Sequence, residues 1–500
     1  MRAGESSEDL HVECRRRIAA LEAQNAELKR QNQSLLKHLE TESAELKRQN
    51  QSLLKRVEVL EARLRQNSQN SSKPPSSDPP SAPPRPTPPP TGRKPGGQPG
   101  HPGHPRRLLP PDQVNQLVVL KPRQCKGCGH RLRGQDRDPL RHQVIEIPPV
   151  QATVTEYQRH RLECGNCGQV TTAELPIGVG LSGFGPRLEA TVAYLIGRLH
   201  LSKRLIQEML SDMFGVVMSL GAIIKAQQRV SRALAGPYDQ VRRRVQTEPM
   251  AHVDETGFRE GRGRAWVWVA VTITAVLFKI HLRRSAEAAR ELLGRFQGIL
   301  VTDRWKAYDG WSVVDRQLCW AHLIRDFRSF TEYSGQPAKI GRALLKQVDQ
   351  MFFLWYRVRD GTLKFSTFQK YMGPIRRRIE AQLERGARCR HRKTAGMCRE
   401  ILKLAPALWT FVAVEGIEPT NNTAEREIRP MVLYRKISFG TQGTSGSRFI
   451  ERIMTAVATL RLQGRHVLGY LVEVCEAARL DQPAPSLLSH RSQRAAASAS

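Results

Sequence analysis

Three carboxylates carry the chemistry this sequence points to. Asp254 closes the apolar stretch in HVDETG, and Asp303 closes the one in GILVTD. Both stand where apolar alternation stops, which puts them at strand tips; neighbouring strands would bring the two together. Carboxylate oxygens are hard ligands suited to Mg²⁺. Two such ions can activate a nucleophile and stabilise the leaving oxygen of an in-line phosphoryl displacement. A third acid from a later element completes a site of this kind, and the candidate is Glu425 in NNTAEREIRPMVLYRKISFG. Asn421 or Thr423 could cap a helix starting there, with Glu425 and Arg429 one turn apart on it. Glu427 would lie about 160° around that helix from Glu425, so both cannot serve equally. Taken singly, each acid has a structural use, as a turn residue or as a first-turn Glu that suits the helix dipole.

The second group is sulfur. Cys125, Cys128, Cys164 and Cys167 form two CxxC pairs, each with a Gly inside or just after it. Glycine lets the backbone turn so that two thiolates reach one ion at about 2.3 Å, and four thiolates close the coordination shell of a structural Zn²⁺. HQVIEIPPV and ATVTEYQRHRLE between the pairs alternate as strands do, so 112–175 is expected to be a zinc ribbon. His130 is read as a loop residue rather than a ligand.

The elements that must position these groups follow from periodicity. Residues 248–330 give PMAHVDETGF, RAWVWVAVTIT and AVLFKIHL as strands, AEAARELLGRF as a helix and GILVTD as a strand. That β-β-β-α-β order opens the ribonuclease-H-like fold. The catalytic core is expected over 248–480, with an all-helical insertion at about 331–415. Upstream, 183–240 is helical. SKRLIQEMLSDMF, Gly-Val and SLGAIIKAQQRVSRAL fit a helix-turn-helix in which Ser219 caps the second helix. Lys225, Gln227, Gln228 and Arg229 would face a major groove. A helical hairpin that only packs is the plainer alternative.

Residues 10–66 form a long helix with Leu21, Leu28 and Leu35, then Leu39, Leu46, Leu53 and Leu60, at heptad spacing. A four-residue step between the two series is a stutter, created by the repeat of AELKRQNQSLLK at 26–37 and 44–55. Asn25, Asn32 and Asn50 fall at a positions, which fixes register and favours a two-stranded coiled coil. Residues 67–111 are a Pro-rich basic linker. The tail from 481 to 500 is polar, basic and expected to be disordered.

The 500 residues carry 79 Lys+Arg against 47 Asp+Glu, a net charge of +32. An excess of that size points to a polyanion, most often nucleic acid. With 40% hydrophobic residues a core can form. No apolar run approaches the ~18 residues of a membrane span, and MRAGESSEDLHVECRRR lacks the apolar stretch of a secretory signal. These features lead us to expect a bacterial, cytoplasmic protein that is nucleoid-associated when bound, with no membrane partner and no disulfide framework.

HVDETG, VTDRWKAY, CWAHLIRDF and NNTAEREIRP closely resemble insertion-sequence transposases of family sixty-six. NSSKPPSSD and GRKPGGQPGHPG resemble that family's linker, and the paired CxxC its zinc segment. The resemblance spans roughly residues 20–480. It implies a DDE transposase with Asp254, Asp303 and Glu425 as the acidic triad, holding two Mg²⁺ ions for which Mn²⁺ substitutes. The family's second-Asp motif more often reads Asp-Gly-Tyr; here Arg304 and Trp305 follow Asp303 while Tyr308 stays in place. Cys319 and His322 match a C-x-x-H element, read as active-site support or DNA contact, or as a buried Cys beside a hydrogen-bonded His. Arg426, Arg429, Arg435 and Lys436 are candidate phosphate contacts, with a solvated basic face as the alternative. The implied partners are double-stranded DNA (element ends and target), a second copy through the coiled coil, and small companion proteins of the same element. The alternatives are a DNA-binding regulator with a decayed core and a nuclease that cuts without joining.

Overall fold

The structure, a computed structural model, describes residues 7–64 and 106–488. The linker expected at 67–111 lies outside the described residues up to 105, as do 489–500 of the tail. The chain divides into two units, broken near residue 86.

In the first, one helix, α1 (Ser7–Leu64), runs without interruption. At 1.5 Å per residue it is about 87 Å long. Leu21, Leu28, Leu35 and Leu46 are each more than half exposed on it.

The second unit begins with the cysteine segment. Two antiparallel strands, β1 (Arg161–Glu163) and β2 (Val170–Thr172), flank the second CxxC pair. HQVIEIPPV and the first part of ATVTEYQRHRLE, expected as strands, form none. Val144, Ile147 and Val154 are 79%, 80% and 89% exposed there. Alternation supplies the pattern of a strand, but a strand also needs a ladder partner, and none of the described residues provides one.

Four helices follow: α2 (Pro186–Leu199), α3 (Lys203–Phe214), α4 (Leu220–Ala233) and α5 (Ala235–Gln246). Ser202 and Ser219 cap α3 and α4, each accepting a backbone N–H at 3.2 Å. Ile206, Leu210, Met218 and Ile223 are buried between the two.

Next comes a mixed sheet. Its strands are β3 (Met250–Glu260), β4 (Gly263–Val271), β5 (Val276–His281), β6 (Ile299–Thr302) and β7 (Arg316–Leu318), with α6 (Ala286–Leu293) between β5 and β6. The spatial order is β5-β4-β3-β6-β7. β3, β4 and β5 pair antiparallel; β6 pairs parallel with β3, and β7 parallel with β6.

A helical block follows: α7 (Trp320–Thr331), α8 (Gln336–Arg359), α9 (Phe365–Ala387), α10 (Arg392–Lys403) and the short α11 (Thr410–Ala413). Trp320, Phe327, Trp355, Phe368 and Phe411 give it a core separate from that of the α2–α5 helices. The chain then returns through α12 (Asn422–Ser438), α13 (Thr444–Leu462) and α14 (Val467–Arg479).

α13 closes the free edge of β5. An edge strand presents unpaired N–H groups that need partners. Glu451, Thr455 and Thr459, spaced four apart on α13, accept the N–H groups of Ile280 (2.7 Å), Phe278 (3.0 Å) and Val276 (3.0 Å). Four helical residues rise about 6 Å and two strand residues about 6.8 Å, so the two ladders stay in step.

Candidate active site

The three acids arrive on three different elements. Asp254 is an interior residue of β3, not the strand tip expected. The strand runs on to Glu260 because β4 keeps pairing with it, to Glu260↔Gly263. Asp303 directly follows β6 and so does sit at a tip. The parallel register pairs His252 with Val301; carried two residues further it sets Asp303 abreast of Asp254. Glu425 lies in the first turn of α12.

The three acids are near enough to feel one another's charge, although their carboxylate oxygens do not all lie within 4.8 Å of one another. Burial, then the charges of Glu255, Glu425 and Asp303, push the Asp254 carboxyl well above the usual carboxylate range. Burial raises Glu425 too, with Asp303 adding to it and Arg325 opposing. Carboxylates that repel one another in a partly desolvated site favour a proton or a cation. A hard oxygen donor set of this kind fits a divalent ion such as Mg²⁺.

Asn421 is the N-cap residue of α12, yet its side chain makes no capping bond. The carboxamide is turned to β3, where Nδ2 donates to the Val253 carbonyl (2.7 Å) and Oδ1 meets His252 Nδ1 (3.1 Å). Its backbone N–H donates to Cys319 Sγ at 3.2 Å. Burial brings the His252 pKa down to about 4, so the ring is neutral near pH 7.

Cys319 and His322 stand beside Glu425. The sulfur, an imidazole nitrogen and a carboxylate oxygen of this trio lie within 4.8 Å of one another. His322 Nδ1 is 3.8 Å from Glu425 Oε1, too far for a hydrogen bond. Burial and the charge of Arg325 lower the His322 pKa to about 4. Burial pushes the Cys319 thiol up to about 11, so it remains a neutral acceptor.

Sequence reasoning passed over Glu255. Strand alternation sends it to the face opposite Asp254, where its side chain is 2% exposed. Arg284 donates two N–H groups to it (2.9 and 2.6 Å) and Tyr308 its hydroxyl (2.6 Å). Arg284 in turn stacks on Trp305, 4.1 Å from the ring centre. The Trp305 N–H donates to Asp303 Oδ1 at 2.9 Å. The sequence signal was the Asp-Glu pair itself, which in a strand serves both faces.

The expected DNA contacts divide in two. Lys225, Arg426, Arg429 and Lys436 are exposed. Arg229 is not free; it pairs with buried Glu189, Nη2 to Oε1, at 2.7 Å. Arg435 is committed as well, donating to Thr256 Oγ1 (3.0 Å) and the Gly257 carbonyl. These two expectations are corrected for one reason: an acceptor on the chain, buried Glu189 for Arg229 and the part-buried Thr256 and Gly257 for Arg435, claims a cation that the sequence shows only as positive. Glu427 lines a small cleft with His200 and Arg461.

The two cysteine knuckles share one backbone pattern. Cys125 N–H donates to the His130 carbonyl (2.9 Å) and Gly129 N–H to that of Cys125 (2.9 Å). Cys164 N–H donates to Gln169 (3.0 Å) and Gly168 N–H to Cys164 (2.8 Å). Gly129 and Gly168 take φ of +74° and +69°, open to glycine at no steric cost. Backbone amides lower the thiol pKa of Cys125 and of Cys164, the state a zinc ligand needs. Paired soft donors of this kind fit Zn²⁺. Among the described residues, no three of the four sulfurs lie within 4.8 Å of one another.

Residues 182–448, more than half of the chain, match the family described as Transposase IS66 family. Residues 122–168 match the zinc-finger binding domain of transposase IS66, and residues 13–107 a family of unknown function. Curated relatives include the uncharacterized protein y4qI of Sinorhizobium fredii (strain NBRC 101917 / NGR234). It is 25% identical over 265 residues, covering 47% of this chain and 48% of the relative. The uncharacterized protein y4jD of the same strain is 21% identical over 409 residues, 74% of this chain and 78% of the relative. The chain thus spans about half the length of the first relative. Among the described residues no helix is long and apolar enough to cross a membrane.

Proposed function

The chain belongs to the IS66 transposase family, and we propose that it is a DDE transposase that binds the terminal inverted repeats of its own element, cleaves there and joins the freed ends to target DNA. The observation that carries this reading is the shared neighbourhood of Asp254, Asp303 and Glu425: the charges of Glu425 and Asp303 raise the pKa of Asp254, and that of Asp303 raises the pKa of Glu425. The sheet order β5-β4-β3-β6-β7, with β5, β4 and β3 antiparallel and the rest parallel, supports a ribonuclease-H-like core.

The three carboxylates would hold two divalent ions, Mg²⁺ or Mn²⁺, which when bound supply an activated water and charge stabilisation of the transition state. Water adds to phosphorus, the bond to the 3′-oxygen breaks, and the element keeps a free 3′-OH. That hydroxyl then attacks a target phosphodiester and loses its proton as the target's own 3′-oxygen leaves. The chain forms no covalent bond to DNA. Arg426 and Arg429, exposed on α12 near Glu425 in sequence, would meet phosphates.

The other parts take supporting roles. Cys125, Cys128, Cys164 and Cys167 would hold structural Zn²⁺. α3 and α4 would act as a helix-turn-helix, with Lys225 toward DNA. The leucine stripe of α1 would pair with a second copy as a parallel coiled coil and hold two element ends together.

The test is metal-dependent cleavage and strand transfer on DNA carrying the element ends, with Asp254→Asn, Asp303→Asn and Glu425→Gln. All three should lose cleavage and keep end binding. Cleavage by Glu425→Gln at the wild-type rate would remove Glu425 from the triad.

A further inference from the structure

We propose that Asn421 is a positioning residue whose side chain sets Glu425 against Asp254, an inference that rests on reading the three acids as a metal-binding triad. Glu425 reaches the site only after the helical block of α7–α11, whose core takes in Val301 of β6 and Leu318 of β7 but no residue of α12. The start of α12 must therefore be fixed to β3 by local contacts. Asn421 is 1% exposed and lies at that junction. It bonds the two residues of β3 that directly precede Asp254, His252 and Val253. Its carbonyl accepts the N–H of Glu425 itself at 3.2 Å. The connection from one acid to the other is thus short: Asp254, Val253, the Asn421 side chain, Glu425.

The amide orientation is determined. Nδ2 faces a carbonyl that only accepts, so Oδ1 faces His252, whose Nδ1 must carry the proton. Asn is among the best capping residues, but this one forgoes the cap for the strand. The backbone N–H, held by Cys319 Sγ, adds a third anchor from the residue that starts α7.

Supporting partners that orient ligands are typically worth about 10–100-fold in metal affinity or activity. The experiment is Mn²⁺ binding to the full-length protein, followed by electron paramagnetic resonance of free Mn²⁺, alongside thermal unfolding, end binding and cleavage. Asn421→Ala should weaken Mn²⁺ binding and slow cleavage by about 10–100-fold while end binding stays. Thr455→Val, on α13 and outside the site, is the stability control: its unfolding midpoint should fall without moving the Mn²⁺ midpoint. Where Asn421→Ala does not fold, His252→Leu, which removes only the donor to Oδ1, should weaken Mn²⁺ binding in the same direction. Wild-type Mn²⁺ binding by the folded variant would overturn the inference. Unchanged Mn²⁺ binding and cleavage in Glu425→Gln would instead overturn the triad, whatever Asn421 does.

Discussion

Replacing Arg229 with Ala should destabilise the protein and leave its phosphate contacts intact. Arg229 lies on α4, where a groove-facing side chain was expected, but it points to Glu189. Nε and Nη2 reach the same carboxylate oxygen at 2.8 and 2.7 Å, and Nη2 also meets Ser182 Oγ at 3.3 Å. The Glu189 side chain is 4% exposed and that of Arg229 31%. Breaking a fully buried ion pair costs about 3–5 kcal/mol. Here Arg479 still lies 3.3 Å from Glu189, and solvent reaches part of Arg229, so about 2 kcal/mol is expected. The assays are denaturant unfolding and binding to element-end DNA over a series of salt concentrations. One phosphate contact contributes about 0.9 to the slope of log K against log salt. Arg229→Ala should keep the wild-type slope. Lys225→Ala, which removes an exposed cation, should lose about 0.9 of slope and change stability by less than about 0.5 kcal/mol. Glu189→Gln should behave like Arg229→Ala. An Arg229→Ala protein that loses slope and keeps its stability would refute the argument.

Three further outcomes are expected. Thr455→Val leaves the Phe278 N–H without its acceptor at 3.0 Å and should cost about 1–3 kcal/mol; Thr459→Val, which strands both the N–H and the carbonyl of Val276, should cost more, and equal unfolding free energies for the two would contradict the edge-closure account. Because the folded-state pKa values of Asp254 and Glu425 are raised, their contribution favours folding at low pH and is lost as pH rises through those values; Mg²⁺, which needs the ionised carboxylates, should therefore stabilise more at high pH than at low pH, reaching about 2.7 kcal/mol in total at a hundredfold excess over Kd, and thermal shifts that do not grow with pH, or are unreduced in Asp254→Asn, would exclude a metal at this site. Cys128→Ser should release zinc, read with a chromogenic chelator, while unfolding of the sheet core is unchanged; full zinc retention would exclude the first knuckle as a ligand pair.

Legibility in the sequence followed the strength of local patterning. The β-β-β-α-β order was readable because RAWVWVAV and GILV are long or uninterrupted apolar runs. β7 was not, since it is Arg-Gln-Leu and its Arg316 and Gln317 are fully buried polar residues. Asp254 was recognisable by its chemistry but misplaced at a tip, because partner pairing rather than hydrophobicity carries β3 on to Glu260. Arg229 and Arg435 looked like surface charge because composition cannot distinguish a paired cation from a free one. Asn421 stood in plain view as a cap; only the fold reveals that the strand holding Asp254 takes the side chain instead.

One strand does much of this positioning. Successive residues of β3 are taken by different elements: His252 and Val253 by Asn421, Glu255 by Tyr308 and Arg284, Thr256 and Gly257 by Arg435. α12 is therefore pinned to β3 near both of its ends, at Asn421 and at Arg435, with Glu425 held between them. The loop after Asp303 is pinned to the opposite face through the Tyr308–Glu255 bond. Apart from Cys319 at the head of α7, none of these ties comes from the helical block. Changes in α8 or α9 that keep their own core packed should therefore leave the three acids in register. Loss of Arg435, though it touches no acid, should loosen the far end of α12 and lower cleavage, with the wild-type salt slope for end binding retained.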